Sequence, residues 1–353
     1  MLALLSTFNE DILDKLSRAI HQAGGYKNVE GVWYHLGLAL RSAGLYEEAR
    51  STFERVIESN PNSPVAIQSA FHLARIAILT RNFSRAEEIL NWIKERIESD
   101  KDVLRWANVW AGLKVQTDKI KGGWEHLAEI VHRFKDTTTP KQHPGTWIYV
   151  LVSYAGASIL LDRFQEAESA LQEATKILAN LASEGDRFRD RGFVVVYINL
   201  GELYRLKGEL EKSQEILQKA LELAETHGLQ DFLADARMNL AHTLAESGKN
   251  LDQAEELLTE AEAFYRSHEH HADLIEILLI RAKILWQREK KEEALKLAQE
   301  ALQKAVEYAL QAKEATIAET LYHWTGKVSY KLQAVEAYQK IGNEARAQAL
   351  KGD

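Results

Sequence analysis

The chain has 353 residues, 46% hydrophobic and 27% charged, with a net charge of -8. That is long enough for two or three globular domains or one extended array, and its acidity argues against direct nucleic-acid binding, which needs a basic face to displace counterions. There is no cysteine, so disulfides, thiolate nucleophiles and cysteine zinc sites are excluded, and a cytoplasmic location is expected. Only 4 prolines interrupt a chain rich in Ala, Leu, Glu, Lys and Gln, which points to an all-α fold.

The first residues, MLALLSTFNEDILDKL, lack the basic flank and apolar run of a secretory signal. Phe8, Ile12, Leu13, Leu16, Ala19 and Ile20 recur at helical spacing. Residues 1–29 are therefore expected to cap the apolar end of an array; a dimerisation helix, giving a homodimer, is the alternative. The longest apolar run, Trp147 to Leu161, is shorter than the roughly 20 residues of a membrane span, so no membrane partner is expected.

The dominant pattern is a small residue followed twelve positions later by another: Gly37/Ala49, Ala74/Ala86, Ala155/Ala167, Gly201/Ser213 and Ala282/Ala294. Ala241/Ala254 has one residue more. Two helices cross closely only where small side chains let their backbones approach, so the pattern predicts stacked helix pairs. In the first repeat Trp33, Leu36 and Leu40 share one helix face, Gly44 ends the first helix, Phe53 fills the gap toward the next repeat, and Asn60-Pro61 stops the second helix. The second repeat carries Leu73, Ala74, Phe83, Ala86 and Leu90. A third, from about 104 to 134, is degenerate, with Val115 where a small residue is expected. Two interruptions follow, at 135–146 with Pro140 and Pro144, and at 183–192 with Arg187, Arg189 and Arg191. Both read as loops. Between and after them come repeats marked by Ala155/Ala167, Gly201/Ser213, Ala241/Ala254 and Ala282/Ala294. An eighth pair is expected around 321–341, where Tyr322 replaces the small residue, and 342–353 read as a C-terminal capping helix.

Trp33, Leu36, Gly37, Leu40, Gly44, Tyr46, Ala49, Phe53 and Pro61 resemble the tetratricopeptide (TPR) pattern in order and spacing, as do Leu200, Gly201, Tyr204, Gly208, Leu210, Ser213 and Ala220. Successive small residues of the second helices stand mostly near 40 residues apart, against 34 in the standard unit. In this the chain looks like the arrays of kinesin light chains, peptide-responsive bacterial regulators and sensor domains of large ATP-dependent activators. The resemblance covers about 30–341 and implies an all-α right-handed superhelical solenoid of about seven or eight helix pairs.

In such arrays the first helices line a concave groove that holds a protein or peptide ligand. Carried onto this sequence, the groove positions are Tyr34, Leu38 and Arg41; Phe71 and Arg75; Asn199, Glu202 and Arg205; Asn239 and His242; Lys283 and Trp286; Glu319 and His323. Asn199 and Asn239 resemble the asparagines with which peptide-binding members hold a ligand backbone, since an amide both donates and accepts. Arg75 and Arg205 suit a carboxylate or phosphate. The implied function is a non-enzymatic scaffold; the alternative is a ligand- or peptide-sensing regulatory domain, whose local pocket would sit near Trp106 to Trp147.

Charge is uneven. Residues 61–135 carry 12 basic and 9 acidic residues, residues 201–260 carry 6 and 13; solvated outer helices explain this without a partner. Ser267-His268-Glu269-His270-His271 has metal-ligating types, but no second cluster and no HExxH accompany it. It reads as loop histidines. Trp106 and Trp110 share a helix face and read as core of the degenerate repeat. No GxSxG, GxGxxG or phosphate loop occurs, so no catalytic residue, metal or cofactor is expected.

Overall fold

The computed structural model describes residues 29–42, 44–181, 187–268 and 270–352. Among these, 18 helices and no strands occur; most of the N-terminal cap segment, 1–29, lies outside the described residues. Two compact units are present, Met1–Ser99 and Asp100–Asp353.

The first unit holds two hairpins, α1 (Val29–Ser42) with α2 (Tyr46–Ser59) and α3 (Pro64–Leu79) with α4 (Phe83–Lys94). Gly37 sits on the Phe53 ring: a Cβ there would lie 2.6 Å from Phe53 Cε1. Phe53 also stacks on His72 of α3, ring centres 5.3 Å apart. One side chain therefore fills the crossing within its own repeat and joins it to the next. Helix α3 begins where Ser63 accepts a bond from the Ala66 amide and Pro64 takes the first turn, where its missing N–H costs nothing.

The second unit continues the scheme through α5 (Asp100–Gln116), α6 (Ile120–Phe134), α7 (Thr139–Gln142), α8 (Pro144–Leu160), α9 (Phe164–Asn180), α10 (Arg187–Leu206), α11 (Leu210–Thr226), α12 (Gln230–Ser247), α13 (Leu251–Ser267), α14 (His271–Gln287), α15 (Lys291–Glu307), α16 (Gln311–Thr325), α17 (Val328–Ile341) and α18 (Glu344–Gly352). Ala155, Ala167, Ser213, Ala241, Ala254, Ala282 and Ala294 are all fully buried. At one crossing serine does more than alanine would: Ser213 Oγ donates to the Gly201 carbonyl (2.7 Å) and meets Thr243 Oγ1 at 2.8 Å.

Three expectations need correction. The degenerate third repeat keeps its close crossing, four residues or one helical turn earlier: a Cβ on Gly123 would come 3.0 Å from Lys114 Cβ and 3.4 Å from the Ala111 carbonyl oxygen. Ala111 and Gly123 stand twelve apart, so Val115 is not the crossing residue. Segment 135–146 is not an open loop, because Pro140 stands second in the single turn α7 and Pro144 starts α8, both in a first helical turn that tolerates proline. In 183–192, residues 182–186 lie outside the described residues, and from Arg187 onward the chain is already helical. Asp190 is buried there, with His227 at 3.1 Å and Arg189 at 3.4 Å.

The turn inside most hairpins has one form. A residue in the left-handed region ends the first helix, and the next amide reaches back five residues, as Asn82 to Ala77 (2.8 Å) and Glu209 to Tyr204 (2.8 Å). Glycine fills that place at Gly44 and Gly208, whereas Arg81, Asp118, Asp162 and Glu289 adopt the same conformation without its freedom.

Within the second unit the path returns to its start. Ile120 of α6 and Ala157 and Leu161 near the end of α8 share one apolar cluster with Ala334, Tyr338, Ile341 and Leu350 of α17 and α18. Asn343 Nδ2 donates to the Leu160 carbonyl (3.2 Å) and the Gln311 amide to Asp118 Oδ2 (3.3 Å). The last helix pair thus walls the concave side that α8, α10, α12, α14 and α16 face.

Candidate functional site

That concave side encloses a cavity of about 450 Å³. Its wall is built from the first helices of successive hairpins, each presenting polar residues one or two turns apart: Glu202 and Arg205 on α10, His242 and Glu246 on α12, Glu276 and Lys283 on α14, and Lys313, Glu319 and His323 on α16. Tyr338, Asn343 and Arg346 close it from the C-terminal end, and Asp162 from the α8–α9 turn.

The charges form a ladder across the helices. Arg205 donates to Glu246 at 2.8 Å, and Lys283 Nζ reaches the same carboxylate oxygen at 2.6 Å. Lys283 Nζ also lies 2.7 Å from His242 Nε2, while His242 Nδ1 faces Glu276 at 3.3 Å. Glu276 accepts in turn from Lys313 at 2.7 Å. A second group centres on Glu319, with Tyr338 OH at 2.6 Å, Arg346 at 2.6 Å and His323 at 3.5 Å.

Buried charges need partners, because water no longer screens or solvates them. Burial opposes ionisation of Glu246, but His242, Lys283 and Arg205 outweigh it and hold the carboxyl below the usual range. Glu276 behaves alike: burial opposes, Lys313 and His242 prevail. For Lys283 burial wins, lowering its pKa with help from Arg205 against the pull of Glu246. For Lys313 burial is outweighed by Glu276, and its pKa is raised. Burial also raises the Asp162 carboxyl, only partly offset by Asn343 and Arg346.

Of the residues expected from sequence to line a groove, Glu202, Arg205, His242, Lys283, Glu319 and His323 line this one cavity. Asn199 and Asn239 do not; each donates from Nδ2 to a carbonyl one turn back, Val195 (2.8 Å) and Asp235 (2.9 Å). Trp286 stacks face to face on Trp324, centres 4.4 Å apart. Tyr34, Arg41, Phe71 and Arg75 belong to the first unit. Tyr34 OH and Arg41 converge there on the two nitrogens of His72, at 3.3 Å and 2.7 Å. Phe71 is only 5% exposed and is a core residue, not a groove residue. Arg75 is exposed.

Sequence reasoning missed Glu246, Glu276, Lys313 and Arg346. A signal for two of them was present: Glu246 follows His242 by four and Glu276 precedes Lys283 by seven, so each pair shares a helix face; Lys313, six before Glu319, has no such spacing. Arg346 had none, since only the returning chain brings α18 to the cavity.

The other candidates are occupied by packing. His268 stacks on Phe264, His270 on Tyr265 and His271 on Tyr308. Among the described residues no group of three potential ligands is placed to hold a metal. Trp106 is buried against Trp110. No helix among the described residues is long and apolar enough to cross a membrane.

Two tetratricopeptide-repeat models match the chain, at residues 31–63 and 193–267. The chain carries tetratricopeptide repeats. No curated protein matches it, but solved TPR-like folds do. A Rap protein complexed with competence and sporulation factor is 15% identical, covering 91% of this chain and 89% of its own, with a TM-score of 0.63. NprR in complex with its cognate peptide NprX is 11% identical, covering 80% of each chain, at 0.53. Aspartyl phosphate phosphatase F from Bacillus subtilis is 12% identical, covering 96% of this chain and 86% of its own, at 0.53. At these identities the shared property is the helical-repeat fold.

Proposed function

We propose that this TPR protein is a non-enzymatic binding module that holds a short peptide, or a short segment of a partner protein, in the cavity walled by α8, α10, α12, α14, α16 and the α17–α18 pair. The observation carrying this reading is the enclosure itself. A volume of about 450 Å³ lies within the roughly 300–1,000 Å³ typical of ligand pockets and suits a few residues better than a long extended segment. Its polar lining is charged in both signs, matching a chain with backbone amides and charged ends. The Rap and NprR structures, solved with a factor and a cognate peptide, support the same use of the fold.

The walled cavity also favours a second reading over an open scaffold: the chain senses its ligand and signals through the helices that enclose it. The expected place for a sensor pocket was near Trp106 to Trp147, and those tryptophans are buried in packing, Trp147 fully and donating to Glu173 at 2.8 Å. The sensor reading therefore moves to the α10–α16 cavity. Selection of short peptides from a randomised display library on the full chain tests the proposal. Enriched peptides should lose about tenfold or more in affinity to Lys283→Met, as expected for one lost charged contact of about 1.5–3 kcal/mol. Equal binding to both proteins would place the ligand elsewhere.

A further inference from the structure

We propose that Asp162, in the α8–α9 turn, receives a cationic group of the ligand, an ammonium or guanidinium carried on an apolar stem. The proposal rests on the binding role given to the cavity and specifies the chemistry it selects. The cavity lining carries five carboxylates against four lysine and arginine side chains. Three of the carboxylates are paired with those cations: Glu246 with Arg205 and Lys283, Glu276 with Lys313, and Glu319 with Arg346. Glu202 lies in the field of Lys313. Asp162 is left over. Among the described residues no cation stands within ion-pair distance of it, and Arg346, whose field it feels, is engaged by Glu319 at 2.6 Å. Asp162 is half-buried and lines the cavity, so a ligand can reach it.

Comparison with the other hairpins sets Asp162 apart. Asp118 takes the same left-handed conformation in the α5–α6 turn, and its Oδ2 accepts from the Gln311 amide at 3.3 Å. The turn itself does not require aspartate, since Arg81 and Glu289 hold the same place elsewhere. Burial raises the Asp162 carboxyl above its ordinary value, and the neutral Asn343 amide and Arg346 offset only part of that. A cation seated on the carboxylate would favour its charged form. The apolar stem also has a seat. Leu160 and Leu206 are the last residues of α8 and α10, and Phe164 is the first of α9; all three line the cavity. Leu206 is 41% exposed, an apolar side chain that an aliphatic stem would cover. Lysine and arginine bind in this way, the stem lying along apolar surface while the charged head meets a carboxylate.

The test titrates the full chain with n-butylammonium, n-butylguanidinium and leucinamide, which stand for a lysine side chain, an arginine side chain and a peptide amino terminus. Binding is read by saturation-transfer NMR at constant ionic strength, with n-butanol as the uncharged control. The expected result is saturable binding of at least one cation in the millimolar range, several-fold tighter than n-butanol and several-fold weaker in Asp162→Asn. Asparagine tolerates the left-handed backbone of this turn, so the variant removes the charge and keeps the conformation. The tightest of the three cations identifies the group the subsite takes. No saturable binding of any cation, n-butanol binding as tightly, or equal binding to Asp162→Asn overturns the proposal. The wild-type comparison with n-butanol decides it even if the variant fails to fold. If selected peptides bind but no cation saturates, the peptide reading stands and the subsite falls. If a cation saturates at Asp162 and no peptide is enriched, the subsite stands and the peptide reading falls.

Discussion

The first helices of the repeats do different things in the two units. On α1 and α3 they hold Tyr34, Arg41 and His72, an aromatic group in which one cation meets imidazole. On α10, α12 and α14 they hold Arg205, His242, Glu246, Glu276 and Lys283, a ladder of opposite charges inside a walled cavity. The repeat motif is common to both, so it does not make the cavity. Packing of α17 and α18 against α6 and α8 does, because it half-buries the face that the ladder lines. Partial burial makes pairing among these charges matter more than it would on an open surface.

The largest expected effect follows from removing the shared anion. Glu246→Ala leaves Arg205 and Lys283 facing each other without their carboxylate, and should destabilise the chain by about 3–5 kcal/mol in urea unfolding. His72→Ala, at the matching cluster of the first unit, removes hydrogen bonds to one imidazole and should cost about 1 kcal/mol. Equal losses would show that the charged ladder depends no more on its pairing than the half-buried His72 cluster does.

Acid should find the same contrast. Glu246 and Glu276 both have native pKa values below their ordinary one. Their stabilisation is complete above the ordinary glutamate range, near 4.3, and is lost as pH falls from there through the lower native values, because the unfolded chain takes up protons first. Unfolding free energy should fall steeply below that point, and Glu276→Gln should make the slope shallower. An unchanged slope would mean that Glu276 carries no such linkage.

Smaller effects test the crossings. An alanine at Gly201 would drive its Cβ into Leu217, and at Gly37 into the Phe53 ring, so each substitution should cost about 1–3 kcal/mol. The pair compares a crossing backed by an aliphatic side chain, which yields by rotation, with one backed by a ring that also stacks on His72; Gly37→Ala should cost more. Trp324→Ala removes one face-to-face partner of Trp286 and should cost about 0.5–1.5 kcal/mol.

Much of the helix-pair scheme was legible because close crossings demand small residues at a constant interval. It became illegible where other residues met the same demand. Ala111/Gly123 escaped notice because Val115 drew attention to the wrong register, and hairpin turns at Arg81, Asp118 and Glu289 carry no glycine to mark them. The candidate site was half legible. Arg205, His242 and Lys283 stand at repeat positions, so periodicity finds them. Asn199 and Asn239 stand at repeat positions too, yet their amides turn back to their own helices. Arg346 reaches the cavity only because α18 packs back beside α8, a long-range event that no local pattern encodes.

Hydrogen–deuterium exchange of the full chain with and without a selected peptide tests the central claim most directly. The account predicts added protection in α10, α12, α14 and α16, together with α17–α18, and none in α1–α4. Protection confined to α1–α4, with exchange in α10–α18 unchanged, would contradict it.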